Sequence, residues 1–292
     1  MTLPLVVGID GSDAGLSAVD WAVDEAARHG LALRMVHASR WERYERALPY
    51  PGHSRPSGRV LAENLVASAA ERAGQRNPAV KVTTDIVPDD AVDTLLREAD
   101  DAFAVVTGAR GRGGLKGLLL GSVGLAVAAR APCPVIVVRG DAAGLAGSHE
   151  RILLGAGDPE TGAEEVVRFA FREAETRRCA LDVVRAWRRP AHDDADEPAP
   201  AEGPTRGPEE RASALLDALL RDAVAEHPAV RVRRVTVEGP AHGVLVHHSA
   251  AADLVVVGAR RGHGRLGLQL GRVSHALLHH ADCPVAVVPQ TM

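Results

Sequence analysis

A 34-residue segment of this chain occurs twice, and this repeat constrains the fold more than any other feature of the sequence. Residues 105–138 and 255–288 align without gaps at an offset of 150 positions, and 18 of the 34 aligned residues are identical. The identities include a Cys-Pro-Val tripeptide that begins at Cys133 in one copy and at Cys283 in the other. Self-similarity of this length indicates two copies of one structural unit, joined head to tail.

The hydrophobic pattern of each copy alternates between strand and helix periods. In the first copy, Leu16, Val19, Val23 and Ala26 recur at helical spacing until Gly30, where we expect the helix to end. The predicted strands of the first copy are residues 3–9, 31–38, 80–87, 103–107 and 134–138, with further helices through 60–69, 92–96 and onward from 122. In the second copy the predicted strands are 152–154, 180–186, 230–237, 254–257 and 284–288, with helices through 166–170 and 215–220.

This order of elements predicts the fold class. Strands that alternate with helices imply an α/β protein whose parallel sheets are covered on both faces by right-handed crossovers. Each copy is therefore predicted to be a doubly wound, Rossmann-like sandwich of about five strands. We expect two tandem domains, 1–140 and 150–292, because small and polar residues fill the stretch between them. The last strand of each copy is apolar enough to pair the two domains or two chains, so a homodimer is left open.

Composition excludes several other classes. Hydrophobic residues make up 46% of the chain and charged residues 25%, which is typical of a globular protein. No apolar run approaches the roughly 18 residues of a membrane span, and no export signal precedes the first strand, so we expect a cytoplasmic protein without a membrane partner. The net charge of -4, with three Trp, two Tyr and three Phe, does not favour nucleic-acid binding.

The cysteines do not indicate a metal site or a disulfide framework. The chain has three of them, Cys133, Cys179 and Cys283, and no two form a C-x-x-C pair. Cys133 and Cys283 precede proline at the start of a predicted strand, where a small buried side chain is expected. His275 and His279 lie four apart on a predicted helix, but without a third ligand they are better explained as a solvated helix face.

Glycines follow the fourth strand of the first copy in a pattern that suits phosphate binding. Two residues separate Gly108 from Gly111, nine separate Gly111 from Gly121, and Ser122 then opens a helix. Glycine lets the backbone approach a ligand closely, the amides at a helix start point at an anion, and the helix dipole favours negative charge. A merely flexible turn is the alternative, although the strand, the glycines and the helix start agree with one another.

The pattern Gly108-x2-Gly111-x9-Gly121-Ser122 resembles the ATP-binding signature of the universal stress protein family, and the resemblance covers both halves nearly end to end. Supporting motifs are Val7-Gly8-Ile9-Asp10-Gly11-Ser12, Val36-His37-Ala38 and Cys133-Pro134-Val135. The arrangement is similar to the tandem, two-domain members of that family. The resemblance implies a fold like that of the adenine nucleotide alpha hydrolases and a regulatory, ATP-binding function in stress response.

The resemblance also implies which residues bind the nucleotide. Asp10 would lie near the ribose and triphosphate, the backbone of residues 36–38 would border the adenine, and the glycine loop would line the ribose and phosphates. The implied binding residues are Asp10, Gly11, Ser12, Val36, Ala38, Gly108, Arg110, Gly111, Gly121, Ser122 and Val123. The implied ligand is ATP, with or without magnesium.

Two of these assignments have a physical alternative. An acid at the end of a first strand can bond a ribose hydroxyl or help to hold magnesium, whereas Asp10 as a helix N-cap is less favoured because Ser12 or Asp13 is better placed. Arg110, with Arg112 and Lys116 in the same loop, can pair with phosphate or remain a solvated surface charge.

The second copy departs from the pattern. Arg261 replaces the middle glycine, Arg272 replaces the serine, and Gly157-Asp158-Pro159-Glu160 stands in place of the Asp-Gly-Ser of the first copy. A one-residue slip to Gly262 would leave only eight residues before Gly271. A side chain at Arg261 should block close approach of phosphates, so we expect one nucleotide per chain. The alternative is that the two guanidiniums bind another anion.

The sequence does not establish catalysis. No acid or histidine in the loop is placed to act on a γ-phosphate, and no Walker, kinase or Gly-x-Ser-x-Gly motif occurs. The leading hypothesis is a regulatory ATP-binding module with an unidentified protein partner. The alternatives are a slow ATPase or nucleotidyl-transfer enzyme and a scaffold with a vestigial pocket. Two proline-containing segments, 40–58 and 188–210, follow the second strand of each copy and are expected to be either lids or ordinary surface insertions.

Overall fold

The computed structural model of this protein describes residues 2–40, 58–109, 121–157, 162–189, 207–260 and 270–290. Most of the two proline-containing segments, together with Arg110, Gly111, Arg112, Lys116, Asp158, Pro159, Glu160, Arg261 and Gly262, lie outside the described residues. The predictions made for them therefore stay predictions.

The first half contains five described strands with helices between them. In chain order the elements are β1 (Leu5–Gly8), α1 (Asp13–His29), β2 (Leu33–Ala38), α2 (Gly58–Arg76), β3 (Val82–Val87), α3 (Ala91–Glu98), a short 3-10 turn (Ala99–Asp101), β4 (Ala104–Gly108), α4 (Ser122–Arg130) and β5 (Val135–Val138). Gly30 ends α1 in the left-handed conformation, with φ 64°, as the sequence predicts.

The second half repeats this order after a short connecting helix. The elements are α5 (Ala142–Ala146), β6 (Arg151–Gly155), α6 (Glu164–Arg177), β7 (Ala180–Trp187), α7 (Pro208–Glu226), β8 (Arg231–Glu238), α8 (Ala241–Ser249), β9 (Leu254–Arg260), α9 (Arg272–His280) and β10 (Val285–Gln290). α5 lies within the predicted boundary stretch, which is therefore partly helical, and Asp141 there donates a backbone hydrogen bond to Asp282.

The ten strands form one continuous sheet in the order β3-β2-β1-β4-β5-β10-β9-β6-β7-β8. All neighbours within a half are parallel, and the halves join where β5 and β10 pair antiparallel, with Ile136 opposite Ala286. The predicted pairing of the two apolar last strands is thus confirmed within the chain. Each half is the predicted doubly wound parallel sheet, and the antiparallel junction relates the halves by an approximate twofold axis.

Two apolar layers cover the sheet. One face packs against α1, α2, α6 and α7, with Trp21, Val66, Phe171 and Leu216 buried there. The other face packs against α3, α4, α8 and α9, with Leu95 and Leu277 among its buried residues. The central strands read as largely apolar runs because both of their faces are buried, whereas the edge strands β3 and β8 are polar and partly exposed. The predicted helix through residues 60–69 is present, but its Val60 and Leu61 are exposed.

The three cysteines are buried and unpaired with one another. Burial raises the pKa of the Cys133 and Cys283 thiols to about 12 in each case, so both behave as small apolar side chains, as the sequence predicts. Within the described ranges no helix combines the length and the apolarity that crossing a membrane requires.

Candidate functional site

The predicted site residues meet at the carboxyl edge of the first half's sheet. β1 and β4 are neighbours in the sheet, and the connection after β1 leads to β2 on one side whereas the connection after β4 leads to β5 on the other, so a crevice opens between their ends. The register of β1 sets Gly8 opposite Val36 of β2 and Val7 opposite Val106 of β4. The residues that follow these three strands therefore share one edge, where ligands bind in open α/β sheets.

A tight turn links β1 to α1 and fixes the Asp10 carboxylate. Asp10 Oδ1 accepts hydrogen bonds from the Ser12 amide at 3.0 Å and from the Ser12 hydroxyl at 2.6 Å. Gly11 between them has φ 74°, a conformation that favours glycine. Ser12 Oγ in turn accepts from the Gly15 amide at 3.1 Å, so Ser12 is the N-cap of α1 and Asp10 is not.

The first turn of α1 packs directly on the end of β4. A Cβ atom at Gly108 would lie 2.6 Å from the carbonyl oxygen of Ala14, and one at Gly15 would lie 2.5 Å from Asp10 Oδ1. Gly108 is therefore required for close contact between a strand and a helix, a role that the sequence interpretation assigned to contact with a ligand. The same contact brings the α1 N-terminus to the crevice.

The end of β2 contributes one accessible position and one that belongs to the core. Val36 is buried on the sheet face that packs against Leu95, and its carbonyl accepts the Ile9 amide at 2.9 Å. Ala38 at the strand end is only partly buried. A base lying at this edge would therefore contact Ala38 more readily than Val36, and the prediction for both stays untested.

His37 lies between them and is a residue that the sequence interpretation did not select. Its side chain is buried, and its Nδ1 donates to the Ile9 carbonyl at 2.8 Å. Since a carbonyl oxygen can only accept, Nδ1 carries the proton and a neutral ring would have Nε2 as its acceptor. This hydrogen bond ties β2 to the residue before Asp10 and so helps to position the turn.

The start of α4 is the second helix N-terminus at this edge. The Gly121 amide donates to the Ala109 carbonyl at 2.8 Å, which places the helix start immediately beyond Gly108. Gly121 is the N-cap residue, with no side-chain hydrogen bond at the cap, and Ser122 is exposed in the first helical position. Val123 follows, partly buried. The amides of this first turn thus lack a protein cap among the described residues.

A buried hydroxyl adjoins this edge. Thr107, one residue before Gly108, is 5% exposed, and its Oγ1 makes no hydrogen bond within the described part of the chain. Buried hydroxyls are normally satisfied, so this one indicates space for a polar partner near the strand end. The only signal in the sequence is a threonine within an otherwise apolar strand, which the second half replaces with Val257.

The second half keeps a cavity at the equivalent edge. Its volume is about 370 Å³, and it lies where β6, β9 and β10 end and α9 begins. Its lining is mostly apolar, including Leu154, Val166 and Leu245, with Arg260, Arg272 and Gln290 as the large polar side chains. A Cβ at Gly258 would meet the Gln290 side chain at 2.7 Å rather than a helix backbone. The departures from the glycine pattern have thus changed the lining of this edge without filling it.

The duplicated sheet, with a ligand-type crevice at the strand ends, defines the class of tandem Rossmann-like α/β proteins. The model of the Universal stress protein family matches residues 1–139 and again 149–289. Universal stress protein Rv2005c of Mycobacterium tuberculosis is 33% identical over 297 residues, covering 98% of this chain and 97% of its own. The chain belongs to the universal stress protein family.

A solved structure that spans both halves agrees with the fold. The crystal structure of a universal stress protein from Archaeoglobus fulgidus matches with a TM-score of 0.71 at 15% identity, covering 99% of this chain and 98% of that one. A universal stress protein solved in complex with cAMP is 30% identical over 47% of this chain, covers 98% of its own length and has a TM-score of 0.36. The bound nucleotide is a property of that protein.

Proposed function

We propose that this protein is a regulatory module that binds one ATP molecule at the carboxyl edge of its first half. The observation that supports this most is the meeting of two helix N-termini at the end of β4. The α1 backbone at Ala14 packs on Gly108, and the α4 N-cap Gly121 bonds to Ala109. Both helix dipoles present their positive ends there, which favours a polyanionic ligand.

The described residues suit the parts of a nucleotide. Phosphate oxygens would accept hydrogen bonds from the amides of Ser122 and Val123, since the Gly121 amide already donates to the Ala109 carbonyl. Asp10 Oδ1 is engaged by the turn, so a ribose hydroxyl would be bound through Oδ2. The unsatisfied Thr107 hydroxyl offers a further polar contact. Arg110 and Gly111 lie outside the described residues and enter the proposal from the sequence alone.

Magnesium would be bound at this site together with the phosphates. Magnesium is commonly held by one or two carboxylates together with phosphate oxygens and water. Asp10 supplies one carboxylate, which suits an ion that arrives with the nucleotide rather than one held by the protein alone. Chelation of magnesium is therefore expected to weaken ATP binding without abolishing it.

Two matched glycines provide the test. Gly121 and Gly271 are the N-caps of α4 and α9, with similar extended backbones at φ -61° and -60° that other residues also adopt. A Cβ at Gly271 meets nothing within 4 Å. Gly121→Val should lower ATP affinity at least about tenfold, or 1.4 kcal/mol, because the side chain would shield the α4 amides. Gly271→Val should leave ATP affinity unchanged.

The ligand count and affinity are measured by calorimetric titration of the whole chain with ATP, after removal of nucleotide by unfolding and refolding. One site per chain is expected. Equal ATP affinity in both glycine variants and the unmutated protein would overturn the assigned site, and two equal sites would overturn the asymmetry between the halves. Turnover lost in Asp10→Ala would instead favour a slow ATPase, and absence of binding at millimolar ATP would favour a scaffold.

A further inference from the structure

A buried cluster of charged side chains lies between the two halves, away from the nucleotide edge. Helix α1 of the first half packs against α6 of the second, and Glu25 and His29 of α1 face Glu173 and Arg177 of α6. The two glutamate side chains are at most 1% exposed, and those of His29 and Arg177 are 7% exposed. Charged groups withdrawn from water to this extent require close partners.

The two helices contribute equivalent positions. Each ends in a left-handed C-cap, at Gly30 for α1 and Arg178 for α6. Counting back from these caps pairs Glu25 with Glu173 and pairs His29 with Arg177. The approximate twofold axis therefore brings together two glutamates that occupy the same place in each half. At the second pair of positions the first half has an imidazole and the second half has a guanidinium.

Each of the two carboxylates contacts Arg177 through one oxygen and His29 through the other. The Oε2 atoms face Arg177, whose Nη2 lies 2.6 Å from Glu25 and whose Nε lies 3.3 Å from Glu173. Arg28 reaches the same Glu25 oxygen at 3.1 Å from the solvent side. The Oε1 atoms both turn to His29 Nε2, at 3.4 Å for Glu25 and 3.0 Å for Glu173. Three potential ligand atoms thus converge, all within 4.8 Å of one another.

These three atoms make no hydrogen bond in the described part of the chain, although they are fully buried. A proton on His29 Nε2 would point in one direction in the ring plane, and neither oxygen lies well along it. A metal ion bound to Nε2 would occupy that direction, and its other ligands would lie to the sides of it, as the two oxygens do here. Ligand atoms about 2.0–2.2 Å from a tetrahedral zinc ion are about 3.3–3.6 Å apart. The distances from His29 Nε2 to the two oxygens, 3.4 and 3.0 Å, are close to this separation.

The surroundings hold the ligands as the outer shell of a metal site does. Arg177 hydrogen-bonds the second oxygen of Glu25, and its guanidinium lies over the Trp21 ring, 5.5 Å from the centroid. The His29 ring packs against Phe103 at a centroid distance of 5.1 Å. Hydrogen-bonded carboxylates and a fixed imidazole are the usual supports of metal ligands. Among the enclosed groups, two carboxylates face one guanidinium, which leaves one negative charge unbalanced. A positive ion between His29 Nε2 and the two Oε1 atoms is therefore favourable.

We propose that this chain binds one divalent transition-metal ion between α1 and α6, through His29 Nε2, Glu25 Oε1 and Glu173 Oε1. One imidazole nitrogen with two carboxylate oxygens is a ligand set that suits zinc and neighbouring first-row ions, with water completing the coordination. The ion would join a helix of the first half to a helix of the second and so fasten the two halves together. The competing occupant is a single proton on His29.

The test is a metal titration of the full chain after chelator treatment, with Zn²⁺ or Co²⁺ as the only added ion. One ion per chain is expected by elemental analysis, with the visible d–d absorption of tetrahedral Co²⁺. X-ray absorption of the unmutated protein should show a shell of one imidazole with oxygen ligands. An unmutated chain that takes up no ion, or a shell containing sulfur or several imidazoles, would overturn the proposal.

Two variants and one control locate the ion. His29→Arg gives both helices the same Glu-x3-Arg pattern, so the positive charge is kept while the ligand is lost, and Glu173→Gln keeps the side-chain size. Each should lower metal affinity more than about 100-fold, beyond the 10–100-fold typical of outer-shell changes. His275→Gln, on the exposed face of α9, should bind as the unmutated protein does. Unchanged binding by His29→Arg would place the ion elsewhere and refute the assignment.

Discussion

The two halves share a sheet topology, yet their carboxyl edges are built differently. In the first half α1 begins at Asp13, directly after a Ser12 cap, and its first turn covers Gly108. In the second half α6 begins at Glu164, which is equivalent to Leu16 when the helices are aligned on their C-caps. β9 and β10 run on to Arg260 and Gln290, whereas β4 and β5 end at Gly108 and Val138. The second edge thus has more strand and less helix.

This difference shows which parts of a duplicated domain are free to change. The buried strands and the β5–β10 junction carry the stability of both halves, because their residues are fully enclosed on both faces of the sheet. The edge lies beyond this core. Replacing a helix turn there with strand extensions and a glutamine leaves a cavity of about 370 Å³. A second ligand specificity can therefore develop at this edge without a cost to folding.

The largest expected difference between the halves is the cost of adding one methyl group at the equivalent glycines. Gly108→Ala would place Cβ 2.6 Å from the Ala14 carbonyl oxygen, and a helix backbone cannot yield without moving α1. Gly258→Ala would meet the far end of the Gln290 side chain, which can rotate. We expect the first change to lower the free energy of unfolding by about 2–3 kcal/mol and the second by less than about 1 kcal/mol.

Urea unfolding of both variants against the unmutated protein measures this pair. The continuous sheet predicts that both halves unfold together. Circular dichroism and intrinsic fluorescence are therefore recorded in parallel, since transitions that do not coincide would reveal separate unfolding of one half. Equal losses of stability in the two variants would show that the contact of α1 with Gly108 is no less able to adjust than the contact of Gln290 with Gly258.

The second comparison concerns His29 and Arg177, which occupy equivalent positions at the contact between the halves. Burial lowers the pKa of His29, but the close carboxylates of Glu173 and Glu25, at 3.0 and 3.4 Å, outweigh it and raise the pKa to about 9. Without metal, the folded protein holds this proton more tightly than the unfolded chain. The stabilisation is then complete below about pH 6.5 and lost as the pH rises through about 9.

In the presence of a chelator, the unmutated protein should therefore lose on the order of 1–2 kcal/mol between pH 7 and pH 9, after allowance for solvent screening. His29→Arg should not show this loss, since arginine stays charged. Burial and the Glu25 charge raise the pKa of Glu173 to about 7, a change of the same sign that continues above pH 7. Because His29→Arg retains Glu173, the difference between the two proteins isolates the contribution of His29. Parallel pH profiles of the two proteins would contradict this account of the contact.

The fold could be predicted from the sequence because its signals are local and repeated. Apolar strand runs, the helical spacing of Leu16, Val19 and Val23, and Gly30 as a helix end each act within a few residues. The same pattern of strands and helices recurs in the second copy, which supports each assignment independently. The extent of β9 could not be predicted, since Arg260 is polar and is held in the sheet by pairing with Gln290. That pairing depends on two segments far apart in the chain.

The sequence pattern selects residues that come together at one edge of the sheet, but it does not give the structural role of each, and nucleotide binding there stays a prediction. A glycine pattern cannot distinguish contact with a ligand from contact with a helix, and the structure gives Gly108 the second role. His37 and Thr107 act through a buried hydrogen bond and a buried unsatisfied hydroxyl, neither of which has a sequence signature. The cluster at Glu25 was missed because its partners come from the other half, and only the docking of α1 on α6 brings them together.

The smallest expected difference is in the capping of the first helix of each half. Ser12 has an extended backbone, with ψ 160°, and caps the Gly15 amide, whereas Ala163 at the start of α6 has a helical backbone at ψ -11° from which a hydroxyl would not cap. Ser12→Ala should cost about 1 kcal/mol. Ala163→Ser should give no stabilisation, because the new hydroxyl would not cap and would replace a buried methyl group, and urea unfolding measures both variants.

Because Ser12 also donates to Asp10 Oδ1 from its amide, which alanine retains, the turn should survive Ser12→Ala. ATP affinity in that variant should then fall less than in Gly121→Val. If Ser12→Ala instead abolished binding, the hydroxyl would be the group that positions Asp10, and the α4 amides would have the smaller part in holding the nucleotide.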